Sequence, residues 1–85
     1  MEDLNCFRDR LDKIDEELVR LFEQRMETSL MIGDYKKKNN LPIFDEARER
    51  IVIERLKNRL KNKTLEDSLE KFFIHLMNLS KNVQK

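Results

Sequence analysis

The chain has 85 residues, of which 41% are charged and 39% are hydrophobic, and its formal net charge is +1. Such a balance of charge argues against a nucleic-acid-binding domain, which at this size has a clear excess of basic residues. The sequence has neither a long apolar run nor a signal peptide, so we expect no membrane span. Its one cysteine and one histidine can form neither an internal disulfide nor a metal site, and a cytoplasmic location is therefore expected.

We expect one helical domain over residues 1–85. Glycine and proline each occur once, so little in the sequence interrupts a helix. The periodic spacing of the apolar residues argues against disorder, and the length is that of one small domain. The prediction is an all-α fold with one very long helix and two shorter ones.

The first predicted helix runs from about residue 4 to residue 38, and its apolar residues recur at alternating spacings of three and four. This core stripe consists of Leu4, Phe7, Leu11, Ile14, Leu18 and Leu21. At 1.5 Å per residue the helix is roughly 50 Å long, more than one chain of this size can cover. A second copy of the chain is the expected cover.

Two cations share the inward face of this helix. Arg25 occupies a stripe position where a leucine is expected, and Lys36, eleven residues later, returns to nearly the same face. A buried guanidinium is costly unless an anion or a hydrogen-bonding network meets it, so the two cations indicate an anion-binding pocket. The alternative is that both side chains lie along apolar surface and reach water with their charged ends.

The second predicted helix follows a break at residues 39–42, with Asp45 as its N-cap. Glu49 stands at the head of its apolar stripe, and residues 62–63 are expected to end the helix. The stripe itself consists of Ile53, Leu56 and Leu60.

The third predicted helix has Thr64 as its N-cap, with Asp67 three residues later. Its core stripe consists of Leu65, Leu69, Phe72, Leu76, Leu79 and Val83. A second line beside this stripe consists of Phe73, Met77, Ser80 and Gln84. The two polar side chains that end the second line either belong to a pocket or form the frayed end of the helix.

The polar and charged residues to be considered together, in chain order, are Arg8, Arg25, Lys36, Asp45, Arg48, Glu49, Ser80 and Gln84. Their order and spacing resemble those of the all-helical chorismate mutase family. The resemblance covers nearly the whole chain, and its most specific segment is Pro-Ile-Phe-Asp-Glu-Ala-Arg-Glu at residues 42–49. The other matching segments are residues 8–15, 21–25 and 32–36 and the spacing of four between the last two site residues.

This resemblance implies the conversion of chorismate to prephenate, a shikimate-pathway step toward the aromatic amino acids. The reaction is a pericyclic rearrangement in which one C–O bond breaks as one C–C bond forms, and it needs no cofactor and no metal. Catalysis of this kind depends on holding a reactive conformer and on stabilising the negative charge that develops on the ether oxygen.

The resemblance also implies roles around the ether oxygen and the ring hydroxyl. Lys36 and Gln84 would donate to the ether oxygen. Glu49 would accept from the ring hydroxyl, with help from the backbone at Asp45. Ser80 would supply a further hydrogen bond.

For the substrate carboxylates, the resemblance implies Arg25 and Arg8 as partners, with Arg48 lining the same region. Arg8 and Arg25 are seventeen residues apart in the sequence. This separation is roughly 25 Å along one helix, too far for one small dicarboxylate to bridge. If both arginines serve one site, Arg8 must come from another subunit. The long helix and the separated arginines thus predict an intertwined homodimeric helical bundle with shared active sites.

Two other functions remain open. An isochorismate–pyruvate lyase would use a similar pocket for a related elimination, although the acidic segment at residues 45–49 looks more like the mutases. A helical dimerisation module without catalysis would explain the long helix. It would not explain the inward cations or the polar pair near the C-terminus.

Overall fold

The computed structural model describes residues 3–85, and these form three α-helices and one short 3₁₀ turn, with no strand among them. Helix α1 spans Leu4–Lys38, α2 spans Glu46–Arg59 and α3 spans Glu66–Gln84, with the 3₁₀ turn at Lys63–Leu65. The predicted all-α class, with one very long and two shorter helices, is confirmed. No helix in the described part of the chain has the length and apolar content needed to cross a membrane.

The ends of α1 and the start of α2 follow from local side-chain chemistry. The carboxylate of Asp3 caps α1 by accepting from the backbone N–H of Cys6. Asn40 follows α1 with a φ of 55°, a left-handed conformation that asparagine tolerates. Asp45 caps α2 as predicted, because its side chain accepts from the backbone N–H of Arg48 at 3.0 Å.

The predicted boundary between α2 and α3 is wrong in two respects. Helix α2 already ends at Arg59, before the predicted end at residues 62–63. Thr64 is not the N-cap of α3, because that position is Leu65, which makes no side-chain cap bond. Asn62 instead caps the 3₁₀ turn: its side-chain oxygen accepts from the backbone N–H and the hydroxyl of Thr64, at 3.1 Å and 2.6 Å. This local bond closes the 3₁₀ turn, so α3 begins only at Glu66.

Helix α3 packs against both α1 and α2. The residues buried at its contact with α1 are Ser29, Gly33, Met77, Ser80 and Gln84. The most buried face of α3 is therefore the second predicted line. The predicted core stripe is wrong for most of its length, because four of its six residues are exposed on the single chain and only Leu69 and Leu76 are partly buried. Phe72 of that stripe is 53% exposed and Val83 is 39% exposed.

None of the other described residues covers the N-terminal half of α1. Every residue from 3 to 24 is exposed, so the predicted core stripe of α1 forms no core in one chain. The radius of gyration is 16.2 Å, against about 12 Å for a compact domain of this length. The accessible surface is 7238 Å², against about 5,400 Å² for a compact monomer of this mass.

Candidate active site

A cavity of about 460 Å³ opens where the second half of α1, the head of α2 and the end of α3 meet. Its volume is within the range of small-molecule sites. It is lined by seven of the eight predicted site residues: Arg25, Lys36, Asp45, Arg48, Glu49, Ser80 and Gln84. Its further lining residues are Thr28, Ser29, Ile32, Ile43, Val52, Met77 and Lys81.

Arg8 is the predicted site residue that the chain does not bring to this cavity. It is exposed on α1, roughly 25 Å along the helix axis from Arg25. Within one chain, the site therefore lacks one of the two arginines that the family resemblance implies for the substrate carboxylates.

Ser80 holds Arg25 across the contact between α1 and α3. The Arg25 guanidinium donates to Oγ of Ser80, and this hydroxyl donates in turn to the carbonyl of Leu76 at 3.0 Å. Burial lowers the pKa of Arg25 because desolvation disfavours the cation, although an arginine in a protein keeps its proton. A guanidinium has five N–H donors, so Arg25 can bind Ser80 and an anion together.

Lys36 connects α1 to the loop that precedes α2. Its Nζ donates to the carbonyl of Ile43 at 2.8 Å, and its own carbonyl accepts from the N–H of Leu41 at 2.8 Å. The side chain is partly buried and lines the cavity. Because an ammonium has three donors, Lys36 can hold the loop and still donate to a ligand.

Gln84 places an amide against the cavity where α3 closely approaches Gly33 of α1. A Cβ added to Gly33 would lie 3.0 Å from Cα and Cβ of Gln84, so glycine permits this approach. Gln84 is 8% exposed, and its Oε1 has no hydrogen-bond partner among the described residues. A buried acceptor without a partner costs about 1–3 kcal/mol unless a donor reaches it.

The first turn of α2 contributes Asp45, Arg48 and Glu49 to the cavity. The Asp45 carbonyl accepts from the N–H of Glu49 at 3.1 Å, and its side chain accepts the cap bond from the N–H of Arg48. The Glu49 side chain is only 25% exposed. Its carboxylate accepts from Nζ of Lys81, at 3.2 Å to Oε2 and 3.4 Å to Oε1.

The sequence patterns did not predict Lys81 as a site residue. Its ammonium lies 4.2 Å from the ring centroid of Phe44 as well as beside Glu49. Lys81 is four residues after Met77 and one residue after Ser80, so the inward line of α3 could have pointed to it.

The cavity has more positive than negative charge. Its charged lining residues are the cations Arg25, Lys36, Arg48 and Lys81 and the carboxylates Asp45 and Glu49. The excess of two positive charges suits a ligand with two carboxylates. Among residues 3–85 no group of three or more His, Cys, Asp or Glu residues is arranged to hold a metal ion.

Comparison with known proteins indicates the family of this chain. The sequence model of a family described as chorismate mutase type II matches residues 7–85. A bifunctional chorismate mutase/prephenate dehydratase of Aquifex aeolicus is 43% identical over 56 residues, which cover 66% of this chain and 16% of the relative. The protein of the same name from Buchnera aphidicola subsp. Schizaphis graminum is 41% identical over 63 residues, covering 74% of this chain and 16% of the relative.

A third relative, the T-protein of Haemophilus influenzae, is 39% identical over 49 residues, which cover 58% of this chain and 13% of the relative. The chain thus spans about a sixth or less of the length of the curated relatives that it matches. No solved structure matches it significantly. The family match includes every cavity-lining residue, and this chain belongs to the chorismate mutase type II family.

Proposed function

We propose that this chain converts chorismate to prephenate and that residues 1–85 act as one chorismate mutase domain. The observation that carries the proposal is the convergence of seven predicted site residues, from all three helices, on one cavity with excess positive charge. The family match and the names of the relatives support the same activity. A cytoplasmic location suits the single free cysteine.

The substrate carboxylates are the groups that the arginines would bind. Arg25 offers a guanidinium that Ser80 already orients, and Arg48 lines the same cavity. In this mechanism Ser80 acts through Arg25, because its own hydroxyl donates to Leu76. Fixing both carboxylates holds the flexible side chain of chorismate over its ring, the conformation from which the new bond forms.

The ether oxygen is the atom on which negative charge develops as the C–O bond lengthens. Lys36 and Gln84 are the donors proposed for it, since both line the cavity and the amide of Gln84 is buried. Donors that are already in place in a partly desolvated site stabilise this charge by several kcal/mol more than they stabilise the ground state.

The ring hydroxyl would be bound at the head of α2. Glu49 is the proposed acceptor, and the backbone at Asp45 would assist it. A carboxylate suits a hydroxyl donor, whereas the same charge beside the ether oxygen would oppose the reaction.

We further propose a homodimer in which Arg8 of a second copy completes each site. The accessible surface exceeds that of a compact monomer by about 1,800 Å², against about 800 Å² that each partner buries in a standard interface. The uncovered apolar stripe of α1 and the distance of Arg8 from the cavity both support such an assembly. An intertwined arrangement would cover the stripe and bring Arg8 to the partner's cavity.

A turnover assay tests the proposal. Purified protein is mixed with chorismate and the loss of its ultraviolet absorbance is followed, with prephenate identified as the product. Conversion of isochorismate to pyruvate, without turnover of chorismate, would instead indicate the lyase. Absence of both reactions in a folded protein would favour a dimerisation module.

A further inference from the structure

We infer that Lys81 is a positioning residue for Glu49, fixing its carboxylate for the ring hydroxyl of the substrate. This role rests on the proposed mutase function, in which Glu49 binds that hydroxyl. Lys81 is not one of the eight predicted site residues. Its contact with Glu49 is seen only in the structure, where α3 packs against α2.

The contact between the two side chains is well defined. Nζ of Lys81 donates to both oxygens of Glu49, at 3.2 Å and 3.4 Å. The side chains are 23% and 25% exposed, and both line the cavity. The same ammonium lies 4.2 Å from the centroid of the Phe44 ring, which restricts where it can move. The end of α3 therefore fixes the orientation of a carboxylate at the head of α2.

The chemistry of the proposed substrate explains why Glu49 needs this partner. The substrate is a dianion, and an uncompensated carboxylate in the cavity would repel it. Lys81 offsets that charge and leaves acceptor capacity, because a carboxylate has about four lone-pair sites and Lys81 uses two. Glu49 can thus accept from the ring hydroxyl while its orientation is held by Lys81.

A second ion pair between the same helices provides a matched control. Nζ of Lys57 lies 2.9 Å from Oε1 of Glu70, and the two side chains are 18% and 39% exposed. Neither residue lines the cavity. Replacing Lys57 therefore removes an ion pair between α2 and α3 but leaves the residues of the cavity unchanged.

The experiment measures chorismate turnover by the parent chain and by Lys81→Met, Lys81→Arg and Lys57→Met. We expect Lys81→Met to lower kcat/KM at least about tenfold, because Glu49 loses both its orientation and its counter-charge. Lys81→Arg keeps two donors for the carboxylate and should remain within about threefold of the parent. Lys57→Met should keep the parent kcat/KM and unfold at a lower temperature than the parent, because it loses an ion pair.

A double-mutant cycle with Glu49→Gln separates positioning from direct binding. A residue that acts through Glu49 loses its effect when Glu49 is gone, so Lys81→Met should cost less than about threefold in that background. An equal cost in both backgrounds would mean that Lys81 acts on the substrate by itself, which would overturn the inference. Parent-like activity of Lys81→Met would also overturn it and leave the proposed function intact. A parent chain without turnover would overturn the proposed function and this role together.

Discussion

The hydrogen bond from Lys36 to the carbonyl of Ile43 gives this lysine a structural part beside its proposed catalytic one. Lys36→Ala removes a full positive charge from the transition state, so kcat/KM should fall at least about a hundredfold, or roughly 3 kcal/mol. The lost bond to the loop should also lower the free energy of unfolding by about 1 kcal/mol. Steady-state kinetics and thermal unfolding measure the two effects separately.

The neighbouring lysine supplies the control for this prediction. Lys37 is exposed and does not line the cavity, so Lys37→Ala should match the parent in turnover and in unfolding. Turnover by Lys36→Ala within a few-fold of the parent would show that its ammonium is not the donor to the ether oxygen.

The neutral amide at residue 84 sets the pH dependence. Gln84 does not ionise, so the parent should have a flat kcat/KM through the neutral range, without the bell shape of an acid–base pair. In Gln84→Glu an ionised carboxylate would repel the developing oxyanion, and activity should fall as the pH rises through the pKa of the new group. Profiles measured from about pH 5 to 8 should therefore tilt toward acid only in the variant. Identical pH profiles of the parent and Gln84→Glu would show that Gln84 does not contact the ether oxygen.

The site residues differ in how well the sequence could predict them. Arg25 and Lys36 were predicted because each puts a charge on an otherwise apolar helical stripe. The family resemblance was needed to recognise Arg8, since on an exposed helix surface an arginine has no distinguishing pattern. Lys81 was not predicted because its partners, Glu49 and Phe44, are more than thirty residues away in the sequence.

The crossing of α1 and α3 depends on Gly33, which lies against Gln84. Gly33→Ala gains about 1 kcal/mol in helix propensity but places a Cβ about 3.0 Å from the backbone of Gln84. We expect the two effects on stability nearly to cancel, while displacement of Gln84 lowers kcat/KM several-fold. Thermal unfolding and kinetics of the same variant check both parts.

The exposed neighbour Asp34 provides a comparison on the same helical turn. Asp34→Ala changes helix propensity without approaching Gln84, and it should keep the parent kcat/KM. Equal activity of Gly33→Ala and Asp34→Ala would show that the close approach of the helices does not position the amide.

At the level of helices, boundaries were predicted best where one side chain determines them. Asp45 caps α2 as its position indicated, whereas Asn62 rather than Thr64 forms the turn before α3. The prediction for the inward face of α3 was wrong because it took the most hydrophobic face of the helix to be the buried one. The face with Ser80 and Gln84 turns inward to line a cavity, and most of the more apolar face stays exposed on the single chain.

At the scale of the molecule, residues 3–85 bury too little apolar surface for a free-standing domain. Met77 is the one hydrophobic residue among positions 3–85 that is buried, while large apolar side chains such as Leu11 and Ile14 are 57% and 54% exposed. Burial of apolar surface is the dominant favourable term in folding, so a chain with this surface needs cover. Arg8 lies on the same half of α1 that needs cover. The proposed dimer would therefore both cover the exposed stripe and supply the cation that each site lacks.

Mixing two inactive variants tests this assembly. Arg8→Ala and Arg25→Ala should each be nearly inactive, because each leaves a substrate carboxylate without its partner. In a heterodimer of the two, one site has both lesions and the other has neither. Random exchange makes about half of the dimers mixed, so co-refolded protein should recover roughly a quarter of the parent activity.

A second mixture distinguishes shared sites from a general effect of refolding. Arg25 and Lys36 line the same cavity of one chain, so a heterodimer of Arg25→Ala and Lys36→Ala has one lesion in each site. That mixture should stay inactive under the conditions in which Arg8→Ala and Arg25→Ala recover. Heterodimers of Arg8→Ala and Arg25→Ala that form and remain inactive would show that these arginines do not meet across an interface. Recovery in both mixtures would place Lys36 and Arg25 in different sites, contrary to the cavity that they share.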